Sequence, residues 1–208
     1  MSIHYQRNVV KNLESATNSL YSHGMPRQRV NLSDVTLTAV AIIDRHSLDA
    51  LTLSAVAAEL GIRPSALYTY FDSLDALRHA VAVQATVNLT DDLRNAAVGQ
   101  SGDDAVIALA HTYRSFAVAH PGQYAATLAP PAQPGDAMAR AASDLIDVFA
   151  RVIANYGHRG DDAIHAARAA RSAIHGFVAL EAGQGFHSPA DRDASFDHLV
   201  TTVITGLQ

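Results

Sequence analysis

Apolar residues recur along this chain at intervals of three and four, and strand-like alternation is scarce, so the pattern predicts an all-helical protein. Its most informative stretch is residues 52–71, TLSAVAAELGIRPSALYTYF. Leu53, Val56, Ala57 and Leu60 give one short helix an apolar side, and Thr52 is suited to cap its first turn. Gly61 accommodates the left-handed backbone that ends a helix, Ile62 fills the corner, and Pro64 fits the first turn of a second helix. Leu67 and Phe71, four apart, point back to the core, which leaves Ser65, Ala66, Tyr68, Thr69 and Tyr70 mostly outward. A short polar helix held across a partner helix is the helix-turn-helix that enters a DNA major groove.

The same periodicity divides the rest of the chain. Residues 1–24 have two readings: an amphipathic helix through Val9, Leu13 and Leu20, or a tag preceding a true start at Met25. Pro26, Arg27, Gln28 and Arg29 form an extended basic arm that either reaches a neighbouring groove or is a solvated terminus. Ser33 is expected to cap a helix to about His46 that buries Val35, Ala39, Ile42 and Ile43. Asp72 or Ser73 caps a long helix from Leu74 to about Ala97, with Leu77, Val81, Ala85, Asn88 and Leu89 along one side.

After the break at residues 99–102, Asp103 and Asp104 open a helix to about Ala119 that ends before His120, Pro121 and Gly122. Residues 124–128 make a short helical turn, and residues 129–135, APPAQPG, are a loop. Asp136 starts a helix to Tyr156, with Gly157 beyond its end, and residues 160–162 open the next. That helix carries Ala166, Ala170, Ala173 and Gly176 at close-packing intervals. A last helix follows Asp191 with Phe196, Leu199, Val200, Val203, Ile204 and Leu207 on its apolar side. Apolar faces this broad on a final helix pair predict a four-helix interface, two helices from each of two subunits. The other reading is that both helices complete one chain's own core.

Composition narrows the function. The 208 residues can bury a real core, and the absence of Cys excludes a disulfide framework and thiolate chemistry. No apolar core segment marks a signal peptide and no run spans a bilayer, so a soluble cytoplasmic protein without membrane association is expected. A formal net charge of −5 argues against a generally basic nucleic-acid coat, so any DNA contact is local. Residues 25–71 hold four Arg, four acidic residues and no Lys. His158, His165 and His175 are too scattered for a metal site, and no nucleophile elbow, phosphate-cradling loop or paired-carboxylate motif stands out. The expectation is therefore no metal, no cofactor, no catalytic residue and no enzyme.

Residues 35–77 resemble the DNA-binding domain of the TetR family of bacterial one-component regulators. The carrying residues are Ala50, Leu51 and Thr52, the run from Val56 to Ile62, and Ala66, Leu67, Tyr68 and Phe71. The C-terminal half is similar to a subgroup of the same family through His120, Pro121 and Tyr124, and through Ile174, His175, Gly176, Phe177, Leu180, Glu181 and Phe186. The resemblance implies an N-terminal domain at 31–76 after an extension at 1–30, and a helical ligand-binding and dimerisation domain at 77–208. It also implies a homodimer, joined here through the last two helices, that reads a near-palindromic double-stranded operator and is released by a small-molecule effector. Three positions depart from the family pattern: Ser47 replaces a Gly, Leu74 replaces a phosphate-binding Lys, and Arg171 replaces a Trp. The Ser47 turn is expected to be built differently, because Ser tolerates positive φ less well than Gly. Arg171 alters either the pocket or the interface.

Arg63, Ser65, Ala66 and Thr69 are placed on the base edges, with Pro64 opening the same surface, and Thr52, Tyr68 and Tyr70 on backbone phosphates. The competing reading of Tyr68 and Tyr70 is packing against the domain core. Candidate ligand-lining residues are His111, Tyr113, Phe116, Tyr124, Met138, Leu145, Phe149, Arg171, His175 and Phe177. An Arg171 facing the pocket favours an anionic or carbonyl-bearing ligand. The alternative function is a helical small-molecule-binding or dimeric interaction protein whose DNA head has weakened.

Overall fold

The computed structural model describes residues 30–208. The readings of residues 1–24 and of the arm at 26–29 lie outside the described residues. The described chain is helical without a strand: α1 (Leu32–Arg45), α2 (Leu53–Leu60), α3 (Pro64–Leu67), α4 (Leu74–Ala97), α5 (Gly102–Ala119), α6 (Pro121–Ala126), α7 (Ala137–Ile153), α8 (Gly160–Ala182) and α9 (Arg192–Leu207). Short 3₁₀ turns stand at Leu48–Ala50 and Ala154–Tyr156.

Helix α4 is the spine. At 24 residues it is about 36 Å long and packs against α1, α5, α6 and α7. Ser73 caps it by accepting a hydrogen bond from the Ala76 N–H, and Leu77, Val81, Ala85, Leu89 and Leu93 form a fully buried row. Each large member of that row contributes about 1.5–3 kcal/mol relative to exposure. Asp136 and Asp191 cap α7 and α9 through the N–H groups of Ala139 and of Asp193 and Ala194.

Several boundaries differ from the sequence pattern. Helix α1 begins at Leu32, so Ser33 lies inside its first turn; Asn31 is an equally suitable residue type ahead of a helix. The Ser47 turn is extended (φ 176°) and feeds the 3₁₀ turn, so no left-handed residue is needed there. Gly102 belongs to α5.

Helix α5 ends at Ala119 as expected, and the short helix after it begins at Pro121, three residues ahead of the expected Tyr124. Pro is favoured at the first helical position, and Gly122 lets the helix lie directly on α1. A Cβ at Gly122 would meet the Ile43 carbonyl oxygen at 2.1 Å.

The last helix pair divides its apolar faces between this chain's core and the surface. Phe196, Val200, Ile204 and Leu207 of α9 are buried in this chain's own core, together with Ile174, Phe177 and Val178 of α8. The breadth of those faces is therefore used largely within one chain. Leu199, Val203 and Gly176 stay half-exposed, and Leu180 is exposed.

Candidate nucleic-acid interface and ligand cavity

The N-terminal head is built as its residues direct. The Thr52 hydroxyl accepts from the Ala55 N–H at 3.0 Å and starts α2. Gly61 ends it at φ 64°, with its N–H bonded to Ala58 and the Ile62 N–H reaching back to Ala57, the paired closure of a Schellman turn. Helix α3 follows at once with Pro64 in its first position. Regular helix ends at Leu67, and tighter turns carry the chain onward: Thr69 N–H bonds to Ala66 and Tyr70 N–H to Leu67. Leu67 and Phe71 are buried, which pins this segment on the head.

The opposite side presents Thr52, Arg63, Pro64, Ser65, Ala66, Tyr68 and Thr69, all exposed. Tyr68 is 57% exposed, which removes the core-packing reading for it, whereas Tyr70 is half-buried. Arg45 is held by Glu59 at 2.8 Å, so among the described residues of the head Arg63 is the guanidinium on this face without an ion pair.

Behind the head, a polar chain ties α1 to α6 and α4. Asp44 accepts from the Gln123 backbone N–H at 3.2 Å and from its side-chain amide at 2.7 Å, and His120 Nδ1 lies 2.9 Å from the same carboxylate. Asn88 donates to Gln123 at 2.6 Å and accepts from Gln84 at 2.8 Å. Sequence reasoning missed Asp44, Gln84 and Gln123; the available signal was Asn88, a polar residue within the apolar row of α4.

The ten candidate ligand residues separate into groups. Arg171 and His175 line an open cavity of about 220 Å³ with Leu128, Ile146, Arg168 and Ser172. Tyr124 lies beneath, hydrogen-bonded to His175 Nδ1. Burial holds the Tyr124 hydroxyl well above the usual phenol range, and burial followed by the nearby Arg171 charge lowers His175. Both shifts favour neutral partners. A tyrosine donating to Nδ1 leaves the histidine proton on Nε2 as a donor. Tyr113 meets Tyr124 edge-on at 5.7 Å and Phe149 at 6.3 Å, and its fully buried hydroxyl has no hydrogen-bond partner among the described residues.

The others lie elsewhere. Met138 is buried with its sulfur 3.7 Å from the Thr86 hydroxyl, and Phe116 and Leu145 are core residues. His111 is exposed, pairs with Asp197 at 3.2 Å and packs on Phe196. Phe177 stacks near Phe186 and Phe196, beneath the Arg114 guanidinium. No group of three His, Cys, Asp or Glu is placed to hold a metal among the described residues.

Comparison with known proteins matches both halves. Residues 36–81 fit the family described as bacterial regulatory proteins, tetR family, and residues 106–203 fit the tetracyclin repressor-like C-terminal domain. A relative from Mycobacterium tuberculosis, an uncharacterised HTH-type transcriptional regulator, is 37% identical over 82% of this chain and 78% of its own. The chain belongs to the TetR family.

This TetR-family regulator is also similar to the uncharacterised HTH-type transcriptional regulator YobS of Bacillus subtilis, at 29% identity over 88% of this chain and 95% of that one. Among solved structures it resembles a protein of unknown function from Rhodococcus sp. RHA1, with a TM-score of 0.73, 26% identity and coverage of 88% and 98%. A possible TetR family transcriptional regulator from Streptomyces coelicolor A3(2) shares the fold alone, at a TM-score of 0.64, 18% identity and coverage of 85% and 98%. As in the family, a helix-turn-helix head precedes a helical C-terminal half. No helix among the described residues is long and apolar enough to cross a membrane.

Proposed function

We propose that this regulator is a cytoplasmic homodimeric repressor that leaves a near-palindromic operator when a small molecule binds its C-terminal half. The observation that carries the DNA-binding reading is the surface at the turn between α2 and α3. Arg63 stands there exposed and unpaired among the described residues, beside Ser65, Ala66 and Thr69, while Leu67 and Phe71 anchor the segment from below. Arg63 suits a guanine edge, and an alanine methyl suits thymine. Tyr68 and the Thr52 end of α2 take phosphate roles, with Tyr70 nearer the head. Leu74 supplies no charge, so electrostatic affinity rests on few cations and its salt dependence is shallow.

The effector site we assign to the cavity between Arg171 and His175, with Tyr124 hydrogen-bonded to His175 beneath it. Two guanidiniums and a neutral imidazole donor favour a ligand with an anionic or carbonyl acceptor. Dimerisation uses the outer sides of α8 and α9, where Gly176, Leu180, Leu199 and Val203 stay accessible.

Binding of the protein to its own upstream DNA, measured against scrambled sequence and across salt, tests the reading. Arg63→Ala should weaken specific binding by about 1–3 kcal/mol, the size of one good base contact, and Tyr68→Phe should lower binding to all sequences alike. Equal affinity for upstream and scrambled DNA would instead favour the interaction-protein reading, in which the head has lost its preference.

A further inference from the structure

A second, larger cavity of about 750 Å³ lies away from the Arg171–His175 site, where the head meets α4 and α6. Its volume falls within the roughly 300–1,000 Å³ typical of small-molecule sites. One wall is the start of α4, where Ala76, His79 and Ala82 project at intervals of three. The facing wall is Ala126, Ala129 and Ala132, with Pro130, from the end of α6 and the following loop. Leu48, from the 3₁₀ turn ahead of Thr52, closes the side toward the head.

Alanines on both walls leave the space open. The loop wall is held in place: the Asp136 carboxylate accepts the Ala132 N–H at 2.7 Å and the Gln133 N–H at 3.2 Å while also capping α7. The polar lining is confined to one turn of α4. Asp75 and Arg78 pair loosely at 3.4 Å on the rim. His79 Nε2 lies 3.9 Å from Asp136, beyond hydrogen-bond distance, on a side chain 33% exposed.

We propose that this junction is a second ligand site, one that takes a compact, largely apolar molecule carrying one acceptor group. The apolar body fills the alanine-lined space and the acceptor meets His79 and Arg78 at the rim. An occupant there touches Leu48 and α4 together, so it bears directly on the position of the head relative to its spine. The site stands independently of the effector reading given above, because its walls share no residue with the Arg171 cavity.

The test uses 8-anilinonaphthalene-1-sulfonate, an aromatic body with one anionic end, on the full chain. Its fluorescence should report saturable binding. Histidine modification by diethyl pyrocarbonate, read by mass spectrometry, should show His79 protected at saturation. Ala76→Phe and Ala129→Phe, which fill the cavity from opposite walls, should each lower the affinity at least about tenfold. Absence of saturable binding, protection of His175 without His79, or unchanged affinity in both folded variants would each overturn the proposal. Should the variants fail to fold, His79 protection in the unaltered chain decides alone.

Discussion

Asp44 of α1 receives both the backbone N–H and the side-chain amide of Gln123, a residue at the start of α6. One carboxylate thereby joins the DNA-reading head to the C-terminal half and satisfies a donor at a helix start. The bond continues through Asn88 to Gln84 on the spine. Gly122 lies directly against the Ile43 carbonyl at the same junction, so α6 and α1 are joined by both polar and close backbone contact.

Removing the carboxylate should loosen the junction. Asp44→Ala is expected to cost about 2 kcal/mol, because the buried Gln123 amide loses a charged acceptor. Amide hydrogen exchange at Gln123 should accelerate in the same variant, while exchange along the far end of α4 stays unchanged. Equal protection in both proteins would argue against a mechanical role for Asp44.

Gly122→Ala adds a single methyl group to the same junction. The obstructing atoms are the Ile43 carbonyl oxygen and carbon, at 2.1 and 2.4 Å from the added Cβ, and backbone cannot step aside as a flexible side chain can. A loss of about 3 kcal/mol in denaturant unfolding is expected, at the upper end for overpacking. A stability matching the parent would show that α6 can lift from α1 at little cost.

Arg114 links three helices of the C-terminal half. It donates to Glu181 at 2.8 and 2.5 Å, meets Asp193 at 2.8 Å and lies 4.9 Å above the Phe196 ring. The hydrogen bond to Glu181 holds the guanidinium well above its ordinary range and holds Glu181 below the usual carboxylate range. Arg114→Ala leaves that carboxylate unpaired at 15% exposure and should cost about 3 kcal/mol. The doubly substituted Arg114→Met, Glu181→Leu should recover most of the loss in thermal unfolding.

Two histidines should give opposite pH dependences. The hydrogen bond from His158 to Asp162, with the Leu207 carbonyl beside it, raises its pKa above the ordinary 6.5. Its stabilising contribution is full below that ordinary value and is lost as pH rises through the higher folded value. His175 is lowered by burial, so its contribution is present above the ordinary value and is lost as pH falls through the lower folded one. Unfolding midpoints at about pH 5.5 and about pH 8 should therefore show His158→Gln harmful mainly at the lower pH. His175→Gln should relieve the loss of stability that the parent shows on acidification, and identical pH profiles for all three proteins would contradict both assignments.

Local signals in the sequence were enough for the head. The Thr52 cap, the Gly61 turn and the Pro64 start depend on residues within a few positions of one another, and backbone stereochemistry leaves few alternatives there. The helical periodicity of α4 and its Ser73 cap were legible for the same reason. Long-range partners were not. Nothing near Pro121 and Gly122 in the chain shows that Ile43 lies against them, so the short helix is legible at 124–128 but its start at Pro121 is not. The apolar faces of α8 and α9 were visible, but periodicity cannot say whether such a face meets its own chain or another. Phe196, Val200 and Ile204 closing on the chain's own core was decided by packing. So was the distribution of the ligand candidates, which put Arg171 and His175 on one cavity and His111 and Phe177 beside α9. The sequence by itself determined the helices and the caps at Thr52, Ser73, Asp136 and Asp191, because those follow from neighbours along the chain. The tertiary structure alone decided the Asp44–Gln123 junction and both cavities, because those depend on residues brought together from distant positions.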